Sequence, residues 1–278
     1  CRPMNNDKQQ RDLFPGLWGA LWLLLASLLI ETVMSALVFD LMPDAGGPME
    51  KSALARVLAY GVLFTALLQY KRMSHAELFH SGPASLASTA SRTLLPVLAL
   101  VPGMLVVSGW MGQLLGSVFE MSRWEESAFS SMLSTSPGAI ALVCVIAPVL
   151  EEMLFRGVIL RAFLLRYPPG TAIVHSAAIF GLAHMNIYQF VSALAMGLVL
   201  GWLYERTRSL FPCIVLHAAS NTTIVWLSQT AQADDAGADM PILLSLLVSV
   251  AALVWLVKRL GWPSAAPVGR TSKPGQGL

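Results

Sequence analysis

The run Val149-Leu150-Glu151-Glu152-Met153-Leu154-Phe155-Arg156 sets two carboxylates and a guanidinium into otherwise apolar sequence. On a helix, Glu152 and Arg156 are four residues apart, so they stack on one face and can pair. Glu151 is rotated by about 100° from its neighbour and lacks that partner. Two adjacent carboxylates in a low-dielectric interior do not both ionise cheaply without a cation nearby. Arg156 can hold Glu152 charged, which leaves Glu151 as the carboxylate suited to general-base work. A structural ion-pair network is the competing reading of the same residues. Downstream, Phe180 and His184 are spaced to share one helical face, and so are His217 and Asn221. Two imidazoles, a carboxamide and a carboxylate pair are more than isolated satisfied polar residues require. Pro148 lies just before the pair; it lacks an N–H and is expected to kink its helix and free a carbonyl near Cys144.

The elements that must position these groups are membrane helices. The chain has 278 residues, of which 55% are apolar and 12% charged, against about 25% charged in soluble domains. Crossing a bilayer takes about 20 apolar residues. Eight stretches approach that: Leu17–Val38, Leu54–Tyr70, Leu94–Phe119, Ile140–Leu160, Ala172–His184, Phe190–Tyr204, Leu210–Leu227 and Ile242–Val257. The expected fold class is therefore all-α, a polytopic bundle of about eight transmembrane helices in a single domain over 1–278. The fifth and sixth stretches are short and separated only by Met185–Gln189, so either a half-span or a tight hairpin is open there. Small residues at four-residue spacing, Ala193, Gly197 and Gly201, and likewise Ser108, Gly112 and Gly116, offer faces for close helix packing. A formal net charge of +2 implies no nucleic-acid partner. Cys1, Cys144 and Cys213 have neither metal-ligand nor disulfide spacing.

Charge sorts the connecting segments. Arg2, Lys8, Arg11, Lys71, Arg72, Arg92, Arg161, Arg166, Arg206, Arg208, Lys258, Arg259, Arg270 and Lys273 fall on one side; Asp40, Asp44, Glu50, Glu120, Glu125, Glu126, Asp234, Asp235 and Asp239 fall on the other, where only Lys51, Arg56 and Arg123 are basic. The positive-inside rule then puts both termini in the cytoplasm. The first helix, with its basic flank, reads as an uncleaved signal anchor, and Met4 is an alternative start to Cys1. Glu31 is expected near the outer interface in a solvated, structural role. The Ser-rich loop Ser81–Ser91 and the Pro/Gly-rich tail at 262–278 are expected to be flexible cytoplasmic segments. At 1.5 Å per residue, His217 falls about 11 Å from the cytoplasmic side, Glu151 about 12 Å, Asn221 about 17 Å and His184 about 18 Å. One layer holds all four.

Glu151-Glu152-x-x-x-Arg156, Phe180-x-x-x-His184 and His217-x-x-x-Asn221, in this order, resemble the CAAX-protease and bacteriocin-processing (Abi) family of intramembrane proteases, which includes the type II CAAX prenyl endopeptidases. The resemblance covers residues 140–227 as a catalytic core, with 1–139 as additional N-terminal transmembrane helices. It implies an intramembrane endopeptidase in which Glu151, assisted by His184, activates a water. His217 and Asn221 would donate to the oxyanion, and Glu152 and Arg156 would orient and charge-balance the site, with Phe180 supporting. The implied partners are the bilayer and a membrane-associated peptide or protein, including prenylated CAAX-type and bacteriocin-like precursor substrates. The chemistry is coherent by itself: hydrolysis needs an activated water and preorganised donors where negative charge develops, and no serine or cysteine nucleophile is placed beside a base. No cofactor is then required. The alternative is a zinc-dependent version holding the metal on Glu151, His184 and His217, although no His-Glu-x-x-His pattern is present. Two further alternatives are a non-catalytic membrane scaffold or immunity protein and a proton-coupled carrier, the latter weakened by the absence of internal repeats.

Overall fold

The structure is a computed structural model that describes residues 6–44, 46–233 and 242–261; Cys1, Met4 and the tail at 262–278 lie outside the described residues. Twelve helices follow one another among them: α1 (Asn6–Leu13), α2 (Leu17–Leu41), α3 (Pro48–Lys71), α4 (His75–Phe79), α5 (Leu86–Leu98), α6 (Val101–Gly116), α7 (Arg123–Met132), α8 (Pro137–Arg166), α9 (Pro169–Leu182), α10 (Ile187–Thr207), α11 (Phe211–Ala233) and α12 (Ile242–Leu260). The protein is an all-α polytopic membrane bundle. Six helices are long and apolar enough to cross a bilayer: α2, α3, α8, α10, α11 and α12. The pair α5 and α6, bent by 47°, makes a seventh span if taken together. The expected count of eight is reached only by adding α9, whose 14 residues extend about 21 Å, short of a hydrocarbon core about 30 Å thick.

The outer surface has lipid chemistry. Trp22, Leu25, Leu29, Leu243 and Leu247 are among the large apolar side chains standing exposed on α2 and α12. In water such a surface would associate; in hydrocarbon it is the required exterior, because the helices satisfy their own backbone groups. The interior is built around α8, where Leu154, Phe155, Val158, Ile159 and Leu160 are buried.

Several element boundaries differ from those expected. Arg56 does not lie in a connecting segment: Pro48, in the first turn of α3, starts that helix six residues before the expected Leu54. The Ser-rich loop is largely helical, because the Ser85 side chain caps α5 by accepting the Ser88 N–H, and Thr89 and Thr93 are buried on it. The third span is broken between Pro96 and Pro102, which each lack a donor. Ser249 of α12 repairs the break, donating to the Ala99 carbonyl at 2.9 Å and accepting the Gly103 N–H at 2.8 Å. Helix α9 ends at Leu182 rather than His184. Met185 then takes a left-handed conformation (φ +54°), and Asn186 caps α10 by accepting the Gln189 N–H at 2.8 Å. The result is a tight hairpin between a short and a full-length helix.

That hairpin is closely packed. A Cβ at Gly197 would lie 2.9 Å from the Ala177 Cβ, and one at Gly201 2.9 Å from Ile173 Cγ2. The Ala193-Gly197-Gly201 face thus lets α9 and α10 approach as expected. The Ser108-Gly112-Gly116 face is different: nothing lies within 4 Å of a Cβ built at Gly112 or Gly116. Spacing alone supplies an opportunity for packing; a neighbour must also be present.

Candidate active site

Helix α8 carries the centre of the site, and its backbone is unusual there. Ser136 caps its start, accepting the Ala139 N–H at 3.1 Å. Two stretches, Leu142–Ile146 and Met153–Leu160, adopt π-helical register. In the first, the Ala147 N–H donates to the Leu142 carbonyl, five residues back. Continuing that register, the next donor would come from Pro148 to the Val143 carbonyl, and proline has none. Asn221 Nδ2 of α11 donates to that carbonyl at 2.9 Å. The freed carbonyl is therefore Val143, one residue from the position expected for ordinary α register. The helix absorbs Pro148 by widening and runs on over 30 residues.

Glu152 and Arg156 pair as their spacing requires, with Arg156 Nη1 2.6 Å from Glu152 Oε1, and both side chains are inaccessible. His217 Nδ1 lies 2.9 Å from the same carboxylate oxygen. The imidazole is thereby turned so that its Nε2 faces Glu151 Oε2 at 3.8 Å. His217 bridges the two adjacent carboxylates. Arg156 also donates to the Gly197 carbonyl at 3.4 Å, a reach that the close approach of α10 makes available.

Phe180 is the hub of the packing. The Arg156 guanidinium lies over its ring at 4.5 Å, a cation–π contact worth about 2 kcal/mol or more when desolvated. Phe155, His217 and His184 meet the ring edge-on, with centroids 5.0, 5.8 and 5.2 Å away. His184 is held by Nδ1 on the Phe180 carbonyl at 3.0 Å, and its own carbonyl accepts from Asn186 Nδ2 at 3.0 Å. Its place is the hairpin turn, not a helix, and its ring packs edge-on against Phe180.

The structure thus brings Glu151, Glu152, Arg156, Phe180 and His217 into direct contact, with His184 and Asn221 at the edge. Two members were missed. Arg56 of α3 donates through Nε to Glu31 Oε1 of α2 at 2.8 Å and through Nη1 to Glu151 Oε1 at 3.3 Å. Glu151 is therefore not without a cationic partner. Glu31 has a specific partner rather than solvent alone, and α2 continues ten residues beyond it, to Leu41. A signal was present in the sequence. Each is a lone ionisable residue in an apolar stretch, the two have opposite sign, and such groups rarely stay unpaired in a bilayer.

Residues 133–223 match the family described as type II CAAX prenyl endopeptidase Rce1-like. The match spans about a third of the chain. A stretch of 119 residues, 42% of the chain, is 29% identical to a Bacillus subtilis (strain 168) protein named "Putative membrane peptidase YdiL", of which it covers 49%. The chain thus spans about half the length of that curated relative. No solved structure matches it significantly. The Rce1-like segment holds Glu151, Glu152, Arg156, Phe180, His184, His217 and Asn221, whereas Glu31 and Arg56 lie outside it.

The zinc alternative can be tested on the same geometry. Among the described residues, no three His, Cys, Asp or Glu side chains are grouped to hold a metal. Glu151 Oε1 faces a guanidinium, and His217 is joined to His184 only through the ring between them. A tetrahedral ion needs its donors converging at about 2.0–2.2 Å. As arranged, Glu151, His184 and His217 do not fit it.

Proposed function

We propose that this protein is an intramembrane endopeptidase that hydrolyses a peptide bond of a membrane-associated substrate with a water activated by Glu151. The observation that carries the reading is the bridge of His217 between Glu152 and Glu151, deep in the bundle, with one carboxylate sealed and the other reachable: Glu152 is fully inaccessible and Glu151 retains 13% of its side-chain surface. The match to an Rce1-like family and to a membrane peptidase favours proteolysis over a carrier or scaffold.

Water beside Glu151 gives its proton to the carboxylate as its oxygen adds to the carbonyl carbon. The carbonyl oxygen becomes an oxyanion; the C–N bond then breaks and the proton passes to the leaving amine. Because His217 Nδ1 is engaged with Glu152, its Nε2 can donate to the oxyanion only in the imidazolium form. One N–H of the Asn221 amide is on Val143, and the other is available to the oxyanion. With His184 Nδ1 on a backbone carbonyl, its neutral form leaves Nε2 as an acceptor that can assist Glu151. Glu152 and Arg156 fix His217 and balance charge. The substrate classes that the family suggests are prenylated CAAX-type peptides and precursor peptides, met from the cytoplasmic side of a bacterial cell membrane in which both termini are cytoplasmic.

The test uses the full chain in liposomes with a mass-labelled panel of prenylated CAAX peptides, bacteriocin-like precursors and transmembrane peptides. Wild-type protein is expected to cut members of the panel in the presence of a chelator, and Glu151→Gln to cut none while folding normally. A panel left uncut by wild type, or cut equally by Glu151→Gln, overturns the reading. Loss of cleavage on chelation, restored by zinc, overturns the metal-free mechanism.

A further inference from the structure

We propose that the Glu31–Arg56 ion pair, supplied by two helices outside the Rce1-like segment, is a positioning device for the Glu151 carboxylate. The inference rests on the reading of Glu151 as the base and adds to it residues that nothing in the family segment contributes.

Ionisable groups within a span cost about 2.5–3.5 kcal/mol each at the helix centre, so apolar residues at 31 and 56 would insert more readily. Their pairing in α2 and α3 therefore calls for a use, and its geometry indicates one. The Nε bond to Glu31, at 2.8 Å, is the shorter of the two that Arg56 makes. A guanidinium is a rigid planar fork, so fixing it at Nε fixes the direction of Nη1, which meets Glu151 Oε1 at 3.3 Å.

The helix behind it is registered independently. Glu50, six residues before Arg56 on α3, accepts the Gly138 N–H at the start of α8 at 2.9 Å. A Cβ at Gly138 would lie 2.5 Å from the Glu50 backbone nitrogen, so α3 and α8 touch there with no room for a side chain. Arg56 consequently meets Glu151 from a helix already locked to the one that carries it.

The effect on the base is specific. The last torsion of a glutamate is broad and weakly held. Here Oε1 is taken by Arg56 and Oε2 faces His217 Nε2, which orients the carboxylate plane toward the imidazole that Glu152 anchors. Glu152 is oriented by partners on helices of the Rce1-like segment; Glu151 is oriented from the N-terminal half of the chain.

The test measures kcat and KM of the full chain in liposomes on peptides from the same panel, for Arg56→Met, Arg56→Lys, Glu31→Gln and the double variant Glu31→Gln/Arg56→Met. Misplacing a base by about 1 Å costs on the order of 10²-fold, so Arg56→Met is expected to lower kcat by about 10–100-fold with KM within about twofold. Arg56→Lys is expected to restore part of the loss. Glu31→Gln is expected to lower kcat several-fold in the wild type and to add nothing in the Arg56→Met background, with thermal unfolding midpoints recorded for each variant so that loss of fold is told apart from loss of rate. Unchanged kcat in Arg56→Met, a loss confined to KM, or additive losses in the double variant would overturn the proposal; the KM-only result would make Arg56 a substrate-binding group instead. Should Arg56→Met not fold, Arg56→Lys and Glu31→Gln carry the same comparison. A wild-type chain that cuts nothing, or an active Glu151→Gln protein, would sink the protease reading itself, an outcome recognisable apart from these.

Discussion

Glu151 and Glu152 are neighbours in sequence, yet they occupy unlike surroundings. Glu152 is sealed, with its guanidinium on the same helix, an imidazole from α11 and a cation–π floor on Phe180 beneath Arg156. Glu151 keeps some access and is held across helices by Arg56, which Glu31 holds in turn. The 100° turn between adjacent helical residues is enough to send one carboxylate into a dry network and the other to its margin. The difference teaches that two adjacent carboxylates can divide the work between them. The inner one is built into a fixed frame, and the outer one keeps part of its surface accessible.

The comparison breaks most directly at Glu151. Glu151→Gln is expected to remove peptide cleavage with little change in thermal unfolding, whereas a substitution at the inner pair should do the reverse first. Arg156→Met strands the Glu152 charge without its guanidinium, a change expected to cost about 3–5 kcal/mol, seen as a lowered unfolding midpoint and reduced yield in detergent. If Arg156→Met unfolds at the wild-type temperature, the inner pair is not a structural frame.

A third prediction separates structural from catalytic work at Asn221. Asn221→Leu leaves the Val143 carbonyl without its donor, at about 1–3 kcal/mol. Combining it with Pro148→Ala supplies an N–H to that stretch of α8 and should recover most of the stability. Activity should stay low if the second amide N–H serves the oxyanion, for which the loss of one donor typically costs about 10²–10³-fold in rate. Recovery of activity together with stability would reduce Asn221 to a backbone support.

The smallest expected effect is at the closest helix approach. Gly197→Ala places a methyl 2.9 Å from the Ala177 Cβ, and overpacking of this kind typically costs about 1–3 kcal/mol. It should also disturb the Gly197 carbonyl on Arg156, and so weaken the inner frame before the outer carboxylate. Unfolding in detergent and cleavage rate, measured side by side, would show which falls first.

Much of this was legible in the chain itself. Composition required a helical membrane bundle, and the four-residue spacings brought Glu152 to Arg156 and announced His217 and Asn221. The depth count placed Glu151, His184, His217 and Asn221 in one layer; the packing sets His217 beside Glu151, Asn221 on the Val143 carbonyl and His184 against Phe180. Less legible were the helix ends, because caps such as Ser85 and a left-handed Met185 decide them locally within long apolar runs. The shift from the Cys144 to the Val143 carbonyl was hidden as well: π register depends on how α11 packs against α8, and no local spacing reports it.

The sequence by itself determined which groups exist for chemistry and which of them share a helix, because residues on one helix have a fixed angular and axial relation. It could not say which groups from different helices meet. That Glu31 and Arg56 complete the surroundings of Glu151, that His217 bridges two carboxylates and that His184 stands off behind Phe180 were decided by tertiary packing, since contacts between helices follow from register and close approach at positions such as Gly138 and Gly197.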